Sequence, residues 1–187
     1  MKSVLISIQP KWCELIASGK KTVEIRKTRP KIEAPFKVYI YQTRKPVAVS
    51  FSGTGRHISE YDRTYWYNER SGKVIGEFVC DSMTSLKADN VIQAYYNNTK
   101  ETCLTDKEIM QYANNGKLYY WHISDLVIYD KPRELSEFET KRTVTTLTTE
   151  HNIEGIVHYP KKEIVFYKII RPPQSWCYVE RSDSNAE

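Results

Sequence analysis

Three charged residues that follow the first glycine, Lys21, Glu24 and Arg26, could act on one ligand. A guanidinium can grip a phosphate or carboxylate with two hydrogen bonds, an ammonium adds a point charge, and a carboxylate can accept from a base amino group. Together they could recognise a nucleotide. The simpler alternative is a solvated strand face on which Glu24 and Arg26 pair and contribute little to stability, and periodicity alone favours it.

A helix must come before these residues. Pro10 opens a segment, 11–18, in which Trp12, Leu15 and Ile16 recur at helical spacing. Gly19 is suited to end this helix, because glycine tolerates the left-handed conformation that follows a last turn. The chain is therefore expected to leave the helix at Gly19.

A strand is predicted at 22–27, where side chains alternate between two faces. Val23 and Ile25 point one way, while Glu24 and Arg26 point the other. Because the helix passes directly into this strand, the corner can aim Lys21 into the same space as Glu24 and Arg26.

The remaining elements indicate the fold class. Strands are predicted at 36–43, 74–83 and 118–129, helices at 88–97 and 105–114, a long excursion at 44–73 and a β-hairpin within 139–168. In the second helix, Thr105 and Glu108 stand at capping-box spacing, and Gly116 is expected to stop it. The irregular connections favour an α+β domain whose sheet closes into a barrel.

Two motifs at opposite ends of the chain resemble one family. The segment 7–27, SIQPKWCELIASGKKTVEIRK, is similar to the opening signature of ASCH-domain proteins, and 171–179, RPPQSWCYV, resembles their closing P-P-Q-S-aromatic segment. Segments 39–43, 74–78 and 132–138 also fit. The resemblance implies a single PUA-like mixed β-barrel over 1–180, with helices packed around it, insertions near 51–70 and 139–168, and a frayed tail at 181–187.

The resemblance also implies a ligand site in a cleft beside the first helix, of a kind that binds RNA or a modified nucleoside. Lys21 and Arg26 would face a phosphate or a developing oxyanion, and Glu24 would orient a base or carry a proton. Lys11 and Trp12 would line the mouth, with Trp12 free to stack on a base.

Tyr41, Gln174 and Ser175 complete the ligand-binding candidates. Gln174 and Ser175 follow two prolines, in a rigid extended segment that would hold their polar groups in fixed orientation. They could line the cleft or only satisfy buried backbone groups, and the structural role is slightly favoured.

Some members of the resembled family hydrolyse acylated cytidine, and others cleave RNA with a divalent metal. For a hydrolase, the catalytic candidates here are Lys21, Glu24 and Glu77, although a salt bridge is the more common role for a carboxylate such as Glu77. The amidohydrolases carry a Thr where Glu24 stands. Thr22 could replace it only across roughly 6 to 7 Å of strand, which is too far.

Composition limits the remaining classes of function. A net charge of +5 and a pI near 8.9 favour a polyanionic partner. Four scattered cysteines and four dispersed histidines contain no metal-binding pattern, so no cofactor is required, and Mg²⁺ or Mn²⁺ would serve only a nuclease. No apolar run approaches the roughly 20 residues of a membrane span. We therefore expect a cytoplasmic protein that has no transmembrane segment and no membrane partner.

The excursion at 44–73 contains a second candidate surface for nucleic acid. Aromatic and basic residues cluster at 61–70, in the mixture that single-stranded nucleic acid grooves use. The same residues could instead fix the loop to the sheet or meet an acidic protein partner.

Overall fold

The computed structural model describes residues 3–44, 51–52, 55–56, 69–87, 100–153 and 155–181. The helix predicted at 88–97, the aromatic cluster at 61–68 and the tail at 182–187 lie outside these ranges. The elements follow one another as β1 (Ser3–Ile8), α1 (Pro10–Ala17), β2 (Val23–Arg26), β3 (Phe36–Gln42), β4 (Phe51–Ser52), β5 (Gly55–Arg56), β6 (Val74–Lys87), α2 (Asp106–Ala113), β7 (Lys117–Arg133), a 3₁₀ turn (Leu135–Glu137), β8 (Phe138–Asn152), β9 (Gly155–Lys168) and β10 (Trp176–Arg181).

The main structural element is one eight-stranded sheet. Its eight strands are ordered β2-β7-β6-β3-β1-β10-β8-β9, and a separate pair joins β4 to β5. β1 and β3 are parallel, whereas the other pairs are antiparallel. The fold therefore has a mostly β core with few helices, as the α+β assignment expects.

The predicted closure into a barrel is not confirmed, because the sheet is open. β2 and β9 stand at its two ends and do not pair with each other in the described ranges. The chain just before β2 is instead bonded to a later segment, since the Thr22 N–H donates to the Glu101 carbonyl at 2.9 Å.

Helix α1 forms as the sequence predicts. Pro10 occupies its first turn, and Gly19 follows its last turn with φ of +71°. The helix buries Cys13 and Ile16 in the main core. That core also takes buried side chains from four strands: Val4, Ile6, Ile8, Phe36, Val38, Ile40, Ile75, Phe78, Cys80, Trp121 and Ile123.

Helix α2 covers the other face of β2. Ile109 and Ala113 of the helix pack with Val23 and Ile25 of the strand. The predicted capping box is present, because the Thr105 hydroxyl accepts from the Glu108 N–H while the Glu108 carboxylate accepts from the Thr105 N–H. The helix ends where its predicted bounds place it, but Gly116 is not the residue that caps it.

The residue that ends α2 is Asn114, which adopts the left-handed conformation with φ of 46°. Asparagine tolerates this region better than most side chains, so it replaces glycine as the cap. Two strands are also longer than predicted, since β6 runs to Lys87 and β7 runs from Lys117 through Pro132 to Arg133.

The hairpin predicted within 139–168 is confirmed as β8 and β9, here called the arm. Fourteen residue pairs join the two strands, but only Phe138 and Glu139 pair with β10. The arm exposes four large apolar side chains on one of its faces: Leu147, Ile156, Ile164 and Phe166. No helix in the described ranges is long and apolar enough to cross a membrane.

Candidate functional site

Lys21 is buried at the corner between α1 and β2, with only 2% of its surface exposed. Its Nζ donates to the carbonyls of Val23 and Thr102, at 2.8 Å each. Glu24 Oε2 lies 3.4 Å from the same nitrogen. Two hydrogen bonds and one ion pair therefore surround the three N–H groups of this ammonium.

Glu24 joins Lys21 to Arg26. While one carboxylate oxygen faces Lys21, the other lies 3.0 Å from Nη2 of Arg26. The same Nη2 donates to the backbone carbonyl of Ser7 at 2.7 Å. Both Glu24 and Arg26 are buried, at 6% and 9% exposure. The solvated strand face that periodicity favoured is therefore wrong, and the structure brings the three charges together.

The cluster of Lys21, Glu24 and Arg26, here called the charged triad, contains one unsatisfied hydrogen-bond donor. Arg26 Nε is buried and has no hydrogen-bond partner among the described residues. Leaving a buried donor unsatisfied is costly, especially on a charged group. An acceptor from a ligand would remove that cost, and the fixed plane of the guanidinium sets its direction.

The charged triad borders a cleft of about 1290 Å³. α1 and the corner contribute Trp12 and Lys21, β2 contributes Glu24 and Arg26, and α2 contributes Tyr112. The full lining is Ser7, Ile8, Gln9, Trp12, Lys21, Glu24, Ile25, Arg26, Lys27, Tyr41, Thr43, Arg44, Gly72, Leu104, Glu108, Gln111, Tyr112, Glu134, Leu135, Ser136, Ile169, Ile170, Pro172, Pro173 and Gln174.

Aromatic rings flank the charged triad. The Trp12 ring lies under two ammonium groups, with Nζ of Lys11 at 4.5 Å and Nζ of Lys21 at 5.3 Å from its centroid. Burial raises the pKa of the Tyr41 and Tyr112 hydroxyls, so both are neutral donors at physiological pH. The lining therefore combines ring surfaces with hydrogen-bonding groups.

Most ligand candidates from the sequence line this cleft. Tyr41 and Gln174 do so together with Trp12 and the charged triad. Lys11 and Ser175 are not among the lining residues. Nζ of Lys11 lies over the Trp12 ring, and the Ser175 main-chain carbonyl accepts from the Ser7 N–H at 2.9 Å.

Glu77 lies apart from the charged triad. Its carboxylate is 2.6 Å from Nζ of Lys37, and the Tyr129 hydroxyl donates to it at 2.5 Å. Burial and this hydrogen bond raise the pKa of Tyr129. Glu77 is not among the residues that line the cleft, and its contacts are those of the salt bridge that the sequence favoured.

Two residues that position the charged triad were not found from the sequence. Ser7 and Thr102 contribute through main-chain carbonyls, which any residue type could supply. Ser7 belongs to the S-I-x-P motif, so its position carried a signal. Thr102 lies far along the chain from Lys21, and no local pattern connects the two.

The cysteines and the potential metal ligands form no disulfide and no metal-binding group in the described ranges. All four cysteines are free, and Cys13 lies buried near the charged triad. Burial, reinforced by Glu24, raises the pKa of the Cys13 thiol, which keeps it neutral. Within those ranges no group of three or more His, Cys, Asp and Glu residues could hold a metal ion.

Comparisons with known proteins point to one family. A family model described as the ASCH domain matches residues 6–159. Crystal structures of ASCH from Zymomonas mobilis and of a Tyr-to-Phe variant are each 21% identical to this chain, with TM-scores of 0.48. The match with the variant covers 72% of this chain and 77% of the variant's chain. The match with the unsubstituted protein covers 71% of this chain and 73% of that protein's chain. No curated protein matches the chain.

Proposed function

This chain belongs to the ASCH domain family, and from that premise we propose that its cleft binds a nucleotide unit, either a modified nucleoside or a nucleotide within RNA. The family resemblance supplies the ligand class. The charged triad and the surrounding rings supply the groups that such a ligand requires, namely a guanidinium, a carboxylate and surfaces for stacking.

The observation that carries the proposal is the unsatisfied Nε of Arg26. Nη2 of the same guanidinium is held by Glu24 and the Ser7 carbonyl, so the group cannot rotate freely. Nε therefore keeps a fixed position on a residue that lines the cleft, and a ligand reaches it by displacing the atoms that shield it from solvent. A carbonyl oxygen of a base or a phosphate oxygen would accept from it.

Glu24 is the acceptor of this site. Its two oxygens already interact with cations, and each carboxylate oxygen has a further lone pair for a donor. An exocyclic amino group of a base, or a ring N–H such as the N3–H of uracil, would donate to it. Arg26 and Glu24 would thus offer one donor and one acceptor side by side, as a base edge requires.

Lys21 is a positioning residue in this account. Its Nζ donates to the Val23 and Thr102 carbonyls and lies 3.4 Å from the Glu24 carboxylate, so it holds that carboxylate in place. The geometry favours binding over proton transfer at this lysine.

The test is binding of labelled single-stranded RNA and of free nucleosides at roughly 50 and 200 mM salt. We expect Arg26→Lys, which keeps the charge but loses the fork, to weaken binding by about tenfold. Arg142→Lys is the matched control, because Arg142 is exposed and does not line the cleft. Absence of binding by the folded wild-type protein at low salt would refute the proposal.

The alternative is a hydrolase, acting on a nucleobase amide or on RNA with Mg²⁺ or Mn²⁺, in which Lys21 and Glu24 transfer protons. Their contact at 3.4 Å is the observation that keeps it open. Incubation with acylated cytidine, and with labelled RNA in the presence and absence of Mn²⁺, discriminates. Turnover lost in Lys21→Met and retained in Glu77→Gln would favour the hydrolase.

A further inference from the structure

The loop after β2 exposes cations beside two tyrosine rings. Nζ of Lys27 lies 5.1 Å from the centroid of Tyr112, and Cζ of Arg29 lies 5.8 Å from that of Tyr119. Nζ of Lys117 is 5.4 Å from the same Tyr119 ring. These five residues, here called the basic-aromatic patch, contain three exposed cations.

The basic-aromatic patch begins where the cleft ends. Lys27 and Tyr112 are lining residues of the cleft itself. Tyr119 lies on β7 directly opposite Arg26 of β2 in the strand register. The Tyr112 hydroxyl is also close enough to the charged triad that Arg26 and Glu24 both influence its pKa, after burial. A ligand held by Arg26 would therefore leave the cleft beside this patch.

The three cations of the patch are available for phosphates. Lys27, Arg29 and Lys117 form no salt bridge with a carboxylate in the described part of the chain. By contrast, Lys37 and Lys141 are each paired with a glutamate. Unpaired cations beside aromatic rings combine phosphate contact with stacking.

We propose that the basic-aromatic patch binds the stretch of single-stranded nucleic acid that adjoins the nucleotide in the cleft. The inference rests on the proposed function and extends it from one nucleotide to a strand. A single strand fits because its unstacked bases can reach Tyr112 and Tyr119, whereas a duplex keeps its bases stacked inside and would present phosphates alone.

The experiment compares ligand lengths. Uridine monophosphate and a labelled oligouridine of about 12 nucleotides are titrated against the wild-type chain and a Lys27→Gln, Arg29→Gln, Lys117→Gln variant. A Lys131→Gln, Lys162→Gln, Lys168→Gln variant removes the same charge from exposed lysines elsewhere. Tyr119→Leu tests stacking without a change of charge.

The patch variant should bind the oligouridine at least about tenfold more weakly at low salt, with a salt slope reduced by about 2, since three phosphate contacts are lost. Tyr119→Leu should also weaken binding of the oligouridine, by about fivefold or more. Binding of uridine monophosphate should be unchanged in Tyr119→Leu and in an Arg29→Gln, Lys117→Gln variant, which leaves the cleft residue Lys27 in place.

Several results would overturn the inference. Equal losses in the patch and control variants would mean that only net charge matters. Wild-type binding that does not strengthen with ligand length would remove the patch and leave the cleft proposal standing. Tighter binding of a duplex or an acidic peptide than of the single strand would assign the patch to another partner. Failure to bind any nucleotide would remove both proposals.

Discussion

Glu24 is the residue on which the charged triad depends. It lies between two buried cations, 3.4 Å from Nζ of Lys21 and 3.0 Å from Nη2 of Arg26. Burying charges costs free energy unless they are paired and hydrogen-bonded, and here the carboxylate supplies the pairing for both cations. The cluster is thus a structural element as well as a candidate site.

We predict that Glu24→Gln lowers the free energy of unfolding by about 3 kcal/mol, because it leaves two buried cations without their counter-charge. Urea denaturation followed by circular dichroism measures the change. Glu163→Gln is the control, since its partner Lys161 is exposed and a surface pair contributes at most about 1 kcal/mol. Equal losses in the two variants would show that the charged triad is not desolvated.

At the scale of elements, helix α2 sets one wall of the cleft. It packs against Val23 and Ile25, and its Tyr112 lines the site. The helix is short, and its first turn is held by the reciprocal hydrogen bonds between Thr105 and Glu108. The bonds from Thr105 hold the pKa of the Glu108 carboxyl below its usual value.

Thr105→Ala should lower the free energy of unfolding by about 1 kcal/mol, because the N-cap hydroxyl no longer accepts from the Glu108 N–H. Thr105→Ser, which keeps the hydroxyl, should restore most of it. Thermal unfolding of the two variants measures the difference. An alanine variant as stable as the serine variant would show that packing alone holds the helix.

Local signals predicted the elements that local chemistry dictates. Three features could be predicted because each depends on neighbours in sequence: the end of α1 at Gly19, the alternation of side chains along β2 and the Thr105 cap of α2. The Thr102 carbonyl under Lys21 was not readable, since a backbone group of a distant residue leaves no mark in composition. The open sheet was missed because strand pairing at its ends is decided by long-range contacts.

At the scale of the whole molecule, the sheet divides into a packed part and the arm. The part from β2 to β10 buries the main core and borders the cleft. The arm instead pairs mainly with itself, and several of its apolar side chains are exposed. Its removal should therefore leave the packed part intact.

Replacing residues 145–162 by an Asn-Gly turn should change the free energy of unfolding by less than about 1 kcal/mol. The register places Val144 opposite Glu163, and a two-residue turn can join such a pair. Chemical denaturation and binding of uridine monophosphate are the measurements. A large loss of stability would show that the arm supports the core, contrary to its exposure.

In the proposed complex, an oxygen atom of the nucleotide accepts a hydrogen bond from Nε of Arg26. The most direct measurement is the ¹H–¹⁵N signal of the Arg26 Nε–H group during titration with uridine monophosphate, assigned through its loss in Arg26→Lys. We predict that this signal shifts and saturates together with ligand binding. Saturation of the protein with nucleotide while the Arg26 signal stays unmoved would contradict it.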